Sequence, residues 1–202
     1  MYSLILVALA LCLAPASSAD KVVVGFYAEA LCPYCLELSN GPLTDAFKQL
    51  PDIFTLKYVP WGNAKIMNNS KFECQHGKME CVMNTVMACV LNYYPDQMQF
   101  WPFLHCIDQY KEKQDLKKAE SCASETKLDW DQINACQSGD MGHKLELMFA
   151  NMTSQLNPPH KYTPWITING EHNTNAENDG MVKEICSAYT GSNVPAACNK
   201  TV

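Results

Sequence analysis

Nowhere in the 202-residue chain is there a run of about 20 apolar residues, the length needed to cross a hydrocarbon core. That absence excludes a membrane-spanning helix. A surplus of positive charge is missing as well. Lys plus Arg number 15 against 21 Asp plus Glu, a formal net charge of −6, which argues against nucleic acid as a partner. There is no internal repeat and no low-complexity segment, so neither a solenoid nor a long linker is implied. A second Cys-x-x-Cys is also lacking. Zinc sites need four ligands, commonly from two such motifs, so no metal and no other cofactor is implied. Cys74-Gln75-His76 with Cys81 has the look of a ligand set, but a disulfide-bearing loop beside a hydrogen-bonding histidine is the simpler reading.

What is present is cysteine, and in quantity. Eleven occur, one of them (Cys12) inside an N-terminal apolar stretch. That stretch, Leu4 to Leu13, is too short to span a membrane. It is followed by Ser17 and Ala19 in a small-x-small pattern, although no basic residue precedes it. Residues 1–19 therefore read as a signal peptide cleaved before Asp20, and 20–202 as one domain. Cys32 and Cys35 form one unit. The other eight, Cys74, Cys81, Cys89, Cys106, Cys122, Cys136, Cys186 and Cys198, are expected in structural disulfides, since a secretory chain folds under oxidising conditions. Eight cysteines allow 105 connectivities, so the pairing stays open. Three Asn-x-Ser/Thr sequons, at Asn68, Asn151 and Asn199, are candidate glycan acceptors.

The apolar periodicity gives an order of elements. Lys21–Tyr27 reads as a strand buried on both faces, and Ile53–Val59 as an alternating strand. Between them lies CPYC, then Leu36, Leu38, Leu43, Phe47 and Leu50 at helical spacing, with Gly41-Pro42 expected to kink or break the helix. From about residue 70 to 156 the pattern is helical and carries six of the cysteines. Met79, Met83 and Met87 form a stripe there that reads as core-facing, with an adaptable peptide groove as the alternative. Strand character returns at Trp165–Ile168, with an Asn169-Gly170 hairpin, a return strand over 171–173 and a closing helix containing Met181, Val182, Ile185 and Tyr189. The implied fold class is α/β: a thioredoxin-like fold with a disulfide-rich, mainly helical insertion at about 70–156.

In that layout Cys32 opens a helix, where unpaired N–H groups and the dipole favour negative charge. Cys32 is the candidate nucleophile and Cys35 the thiol that resolves the mixed disulfide. Thr163-Pro164, just before a late strand, is the expected substrate-binding element, offering backbone groups to an extended chain. A thiol of ordinary pKa, about 8.5, is only about 0.03% thiolate near pH 5. Lowering that pKa by about three units requires about 4 kcal/mol, whereas a helix terminus supplies at most about 2 kcal/mol. Other donors must contribute, and Glu29 and Glu37, if ionised nearby, oppose the shift.

One longer segment adds to this. CQHGKMECVMNTVMAC, residues 74–89, has fixed points at Cys74-Gln75-His76-Gly77, Glu80-Cys81, Asn84 and Cys89. It resembles the signature of the gamma-interferon-inducible lysosomal thiol reductase (GILT) family. The resemblance implies a soluble glycoprotein of the endosome–lysosome route that reduces disulfides in protein substrates at acid pH. It implies Cys32 and Cys35 as the working pair and a small thiol as reductant, with secretion as the other fate. A thiol oxidase or isomerase on the same fold is the enzymatic alternative, and a secreted binding or effector glycoprotein the non-enzymatic one. The signature itself reads first as scaffold, with His76 as a candidate aid to proton movement.

Overall fold

The computed structural model describes residues 21–109 and 114–200. The signal-peptide reading and Tyr110 lie outside the described residues. Four strands form the main sheet, in the order β2-β1-β5-β6. β1 (Val22–Ala28) runs parallel to β2 (Phe54–Pro60) and antiparallel to β5 (Trp165–Ile168), which pairs with the short β6 (Glu171–His172). β1 is central, and apart from Val23 its residues are buried, as its valine-rich run predicts. The β5–β6 turn has φ of 51° at Asn169 and 91° at Gly170, positive values that an Asn-Gly pair adopts readily.

The helix after β1 is interrupted but not broken. α1 (Pro33–Leu38) passes through a π-helical turn, Ser39–Leu43, into α2 (Thr44–Gln49). Pro42 sits inside that turn. Its missing N–H is absorbed by widening the helix rather than ending it, so Gly41-Pro42 bends the segment where a break was the alternative.

A two-stranded ribbon, β3 (Lys65–Ile66) and β4 (Phe72–Glu73), leads to five helices. These are α3 (Lys78–Tyr93), α4 (Gln97–Asp108), α5 (Leu116–Thr126), α6 (Trp130–Gln137) and α7 (Asp140–Ser154). α3 packs on α6, α7 and β2. Met83 and Met87 are fully buried there, but Met79 at the helix start is 39% exposed, so the stripe faces the core only from its second turn. α8 (Met181–Ala188) closes the chain. Disulfides join Cys74–Cys81, Cys89–Cys136, Cys106–Cys122 and Cys186–Cys198. Cys89–Cys136 ties α3 to α6, and Cys106–Cys122 ties α4 to α5. Among the described residues no helix is long and apolar enough to cross a membrane. Asn68, Asn151 and Asn199 are exposed.

Candidate active site

Sheet register decides what meets at the carboxyl end of β1. Ala28 is paired with Pro60 and Tyr27 with Trp165. The chain leaving β1, the turn leaving β2 and the two residues entering β5 therefore converge at one edge. They bring Glu29 to Cys32, Trp61 to Asn63, and Thr163-Pro164 together. The Thr163–Pro164 peptide bond is cis.

Cys32 is the N-cap residue of α1, with Pro33 at the first helical position. Its Sγ accepts a hydrogen bond from the Cys35 backbone N–H at 3.4 Å. It also lies 3.5 Å from Thr163 Oγ1 and 3.9 Å from the Thr163 carbonyl oxygen. The thiol's pKa is lowered to about 6. The Cys35 thiol contributes most, the Thr163 hydroxyl and the Cys35 N–H add to it, and burial and the Glu29 charge oppose it. Near pH 5 that leaves about one molecule in ten as thiolate. Cys35 is moved the other way, well above its ordinary value, chiefly by burial. The helix start is thus one contributor among several, and the Cys35 thiol is the largest. Both cysteines are free and only 3% exposed. Alongside them a groove of about 730 Å³ is lined by Tyr34, Glu37, Pro42, Tyr162, Thr163 and Pro164. A second hollow, about 840 Å³ between β4 and α3, is lined by neither thiol.

The 74–89 segment reaches the same place, which spacing alone could not tell. Asn84 Oδ1, fully buried, accepts from the Ala30 N–H at 2.8 Å. Gln75 Oε1 accepts from Asn63 Nδ2 at 2.8 Å. The His76 backbone N–H donates to Glu80 Oε2, and His76 Nδ1 lies 2.9 Å from that oxygen and 3.6 Å from Glu29 Oε1. Cys74 and Cys81 are joined to each other, so their sulfurs are not metal ligands. Glu29, His76 and Glu80 are the one convergence of donor atoms among the described residues, within 4.8 Å of one another, and their contacts are those of a hydrogen-bonded acid–imidazole set.

Sequence reasoning named Glu29 as a charge opposing the Cys32 shift, as it is, but did not foresee its hydrogen bonds to the site, nor Gln114. Glu29 is 1% exposed and accepts from the Asn63 N–H at 2.7 Å and the Thr163 hydroxyl at 3.2 Å. Gln114 Oε1 accepts from the N–H of Leu31, whose φ is 64°. A glutamate three residues before a Cys-x-x-Cys, itself flanked by alanines, was the available sign that this acid is buried.

Comparison with known proteins agrees with this geometry. The sequence model of the family described as gamma interferon inducible lysosomal thiol reductase (GILT) matches residues 23–126. The chain is 37% identical over 190 residues to the gamma-interferon-responsive lysosomal thiol protein of Arabidopsis thaliana, covering 92% of this chain and 79% of that protein. It is 37% identical over 191 residues to the gamma-interferon-inducible lysosomal thiol reductase of Carassius auratus, covering 91% and 74%. In structure it resembles oxidised BdbD from Bacillus subtilis, with a TM-score of 0.65 at 15% identity over 83% of this chain and 86% of that one. DsbA from Chlamydia trachomatis gives 0.61 at 14% identity over 82% and 83%. The chain belongs to the gamma-interferon-inducible lysosomal thiol reductase family and is a thiol-disulfide oxidoreductase on a thioredoxin-like fold.

Proposed function

We propose that this protein reduces disulfide bonds of protein substrates at acid pH in the endosome–lysosome route, with Cys32 as nucleophile and Cys35 as resolving thiol. The observation that carries the reading is the asymmetry of the pair. Cys32 is held at about 6 by donors around its sulfur, and Cys35, one turn away, is kept protonated by burial. The first cysteine can attack in an acid compartment while the second waits.

The Cys32 thiolate attacks one sulfur of the substrate disulfide. A Cys32–substrate disulfide forms, and the other substrate sulfur leaves as thiolate and takes a proton. Cys35 then gives up its proton and attacks Cys32 Sγ. The second substrate sulfur leaves, and the chain keeps a Cys32–Cys35 disulfide. Two equivalents of a small thiol then restore the dithiol: the first forms a mixed disulfide with the chain, the second displaces it, and the pair leaves as its own disulfide. Thr163 and Pro164 border both the sulfur and the groove, and an extended substrate segment lies there with its cystine over Cys32. The apolar leader and the three sequons support the secretory route, and the names of the relatives support a lysosomal end to it.

The test uses mature protein and a denatured, disulfide-bonded substrate at about pH 5 and about pH 7. Cys35→Ser is expected to accumulate a mixed disulfide through Cys32 at both, and Cys32→Ser none. Equal trapping by both variants refutes the assignment of roles. A dithiol potential as high as that of a strong oxidant, about −120 mV, refutes the direction of the reaction.

A further inference from the structure

The signature segment is not explained by the dithiol chemistry alone, yet it converges on a carboxylate beside the nucleophile. Glu29 Oε1 accepts the Thr163 hydroxyl at 3.2 Å, and the same Thr163 Oγ1 is 3.5 Å from Cys32 Sγ. A hydroxyl carries one proton. While that proton points at Glu29, the oxygen offers Cys32 only lone pairs. Asn63 Nδ2, at 3.4 Å from Thr163 Oγ1, takes up part of that acceptor capacity. Such an arrangement suits an S–H and disfavours a thiolate. With the Glu29 charge neutralised, the hydroxyl is free to turn to the sulfur and donate to S⁻. Loss of the carboxylate charge and rotation of the hydroxyl act in the same direction.

On its far side Glu29 faces His76 and Glu80. Both carboxylates are buried, 1% and 0% exposed, and share one imidazole. Burial raises the Glu80 carboxyl above its ordinary range, with the His76 contacts opposing the shift, so this buried set favours taking up a proton there. His76, with 27% of its side chain exposed, is the member of the set that reaches solvent. The other titratable groups around the set and Cys32 are Cys35 on α1, Tyr58 on β2, Asp108 on α4, His160 before β5, and Glu146 on α7, which faces Glu80. Burial holds His160 below the ordinary imidazole range and pushes Glu146 well above the carboxylate range, so burial favours the neutral form of each.

We propose that Glu29, His76 and Glu80 form a proton-uptake unit that governs Cys32: with Glu29 charged, it captures the Thr163 hydroxyl, and proton uptake on acidification releases that hydroxyl to the Cys32 sulfur. The claim rests on the reading of Cys32 as nucleophile and deepens it, giving the 74–89 segment a positioning role in acid-adapted reduction. Thiolate lost by direct protonation at low pH is partly restored by the donor that protonation sets free.

The test is the pH dependence of Cys32 carboxamidomethylation, read by peptide mass spectrometry on the reduced, folded mature chain in chelator-containing buffer. E29Q removes the charge and supplies an amide N–H to Thr163 Oγ1. It is expected to lower the Cys32 midpoint by at least about half a pH unit, about threefold more thiolate near pH 5. E29Q placed in T163V is expected to lower the midpoint by less than in the native chain, because no hydroxyl is left to be released. H76Q, which leaves the backbone N–H to Glu80 in place, is expected to shift it, because it removes the member of the unit that reaches solvent. A purely structural role predicts no faster reaction in E29Q. An unchanged or raised midpoint in E29Q, or equal shifts with and without Thr163, overturns the proposal. Should E29Q not fold, H76Q decides alone: an unchanged midpoint overturns the proposal. Trapping by Cys35→Ser is independent of these midpoints, so failure here and failure of the catalytic reading are told apart.

Discussion

Asn84 shows how much a single buried amide can hold. It stands on α3, 54 residues from Ala30, and its Oδ1 satisfies the Ala30 N–H just where the chain bends from β1 toward Cys32. Substituting Asn84→Ala leaves that donor buried and unpaired. The expected cost is about 1–3 kcal/mol in a denaturant titration, accompanied by slower alkylation of Cys32 as the loop slackens. An unaltered midpoint and rate contradict the role. Gly62 is the complementary case: with φ +57°, a Cβ there would lie 2.2 Å from Glu29 Oε2. The turn after β2 approaches the buried carboxylate closely only because that side chain is absent.

At the scale of elements, the four disulfides differ in what they constrain. Cys89–Cys136 closes 47 residues between α3 and α6, and Cys74–Cys81 closes 7 within the loop that carries His76. Loop-closure entropy gives about 4 kcal/mol for the first and about 2 kcal/mol for the second. Replacing Cys89 and Cys136 by alanine is therefore expected to lower stability more than replacing Cys74 and Cys81. The second pair is expected to have the larger effect on the pH midpoint of Cys32, because it frees His76 from Glu29. Chemical denaturation and the alkylation profile, run on both double variants, check the reversal of order. The same order in both assays contradicts it.

Across the whole molecule, buried acids tilt stability toward acid pH. Asp108, at the end of α4 and 3% exposed, is pushed up to about 7 by burial, although Gln114 Nε2 donates to it at 3.1 Å. Its pKa in the unfolded chain is about 3.9. Because the folded value is the higher, the native state binds more protons between those limits, and stability falls as pH rises through them. Cys32 works in the opposite sense only above about 6. Between about pH 4.5 and about pH 6 the Asp108 contribution changes by about 2 kcal/mol, so the native chain is expected to melt several degrees higher at the lower pH. Asp108→Asn is expected to remove the Asp108 share, about 2 kcal/mol, while the buried Glu146 keeps a difference of the same sign. A native chain that melts lower at pH 4.5, with the asparagine variant unchanged, contradicts the argument.

The thioredoxin-like layout was legible in the sequence because strand and helix periods are local: a valine run before CPYC, a Pro at the first turn of a helix, an Asn-Gly hairpin. The reactive pair and Thr163-Pro164 were singled out for the same reason, since each is a short motif adjoining an element end. Which cysteines join and why His76 matters are set by contacts across separations from 4 to 47 residues that do not follow the period of any one element, and the convergence of Thr163 on Cys32 spans 131. No local period encodes those contacts. By itself the sequence determined that a dithiol opens a helix in a cysteine-rich thioredoxin-like fold. Only the tertiary structure, by pairing Ala28 with Pro60 and Tyr27 with Trp165, decided that Glu29, Asn63 and Thr163 surround that dithiol and that the 74–89 segment closes over them.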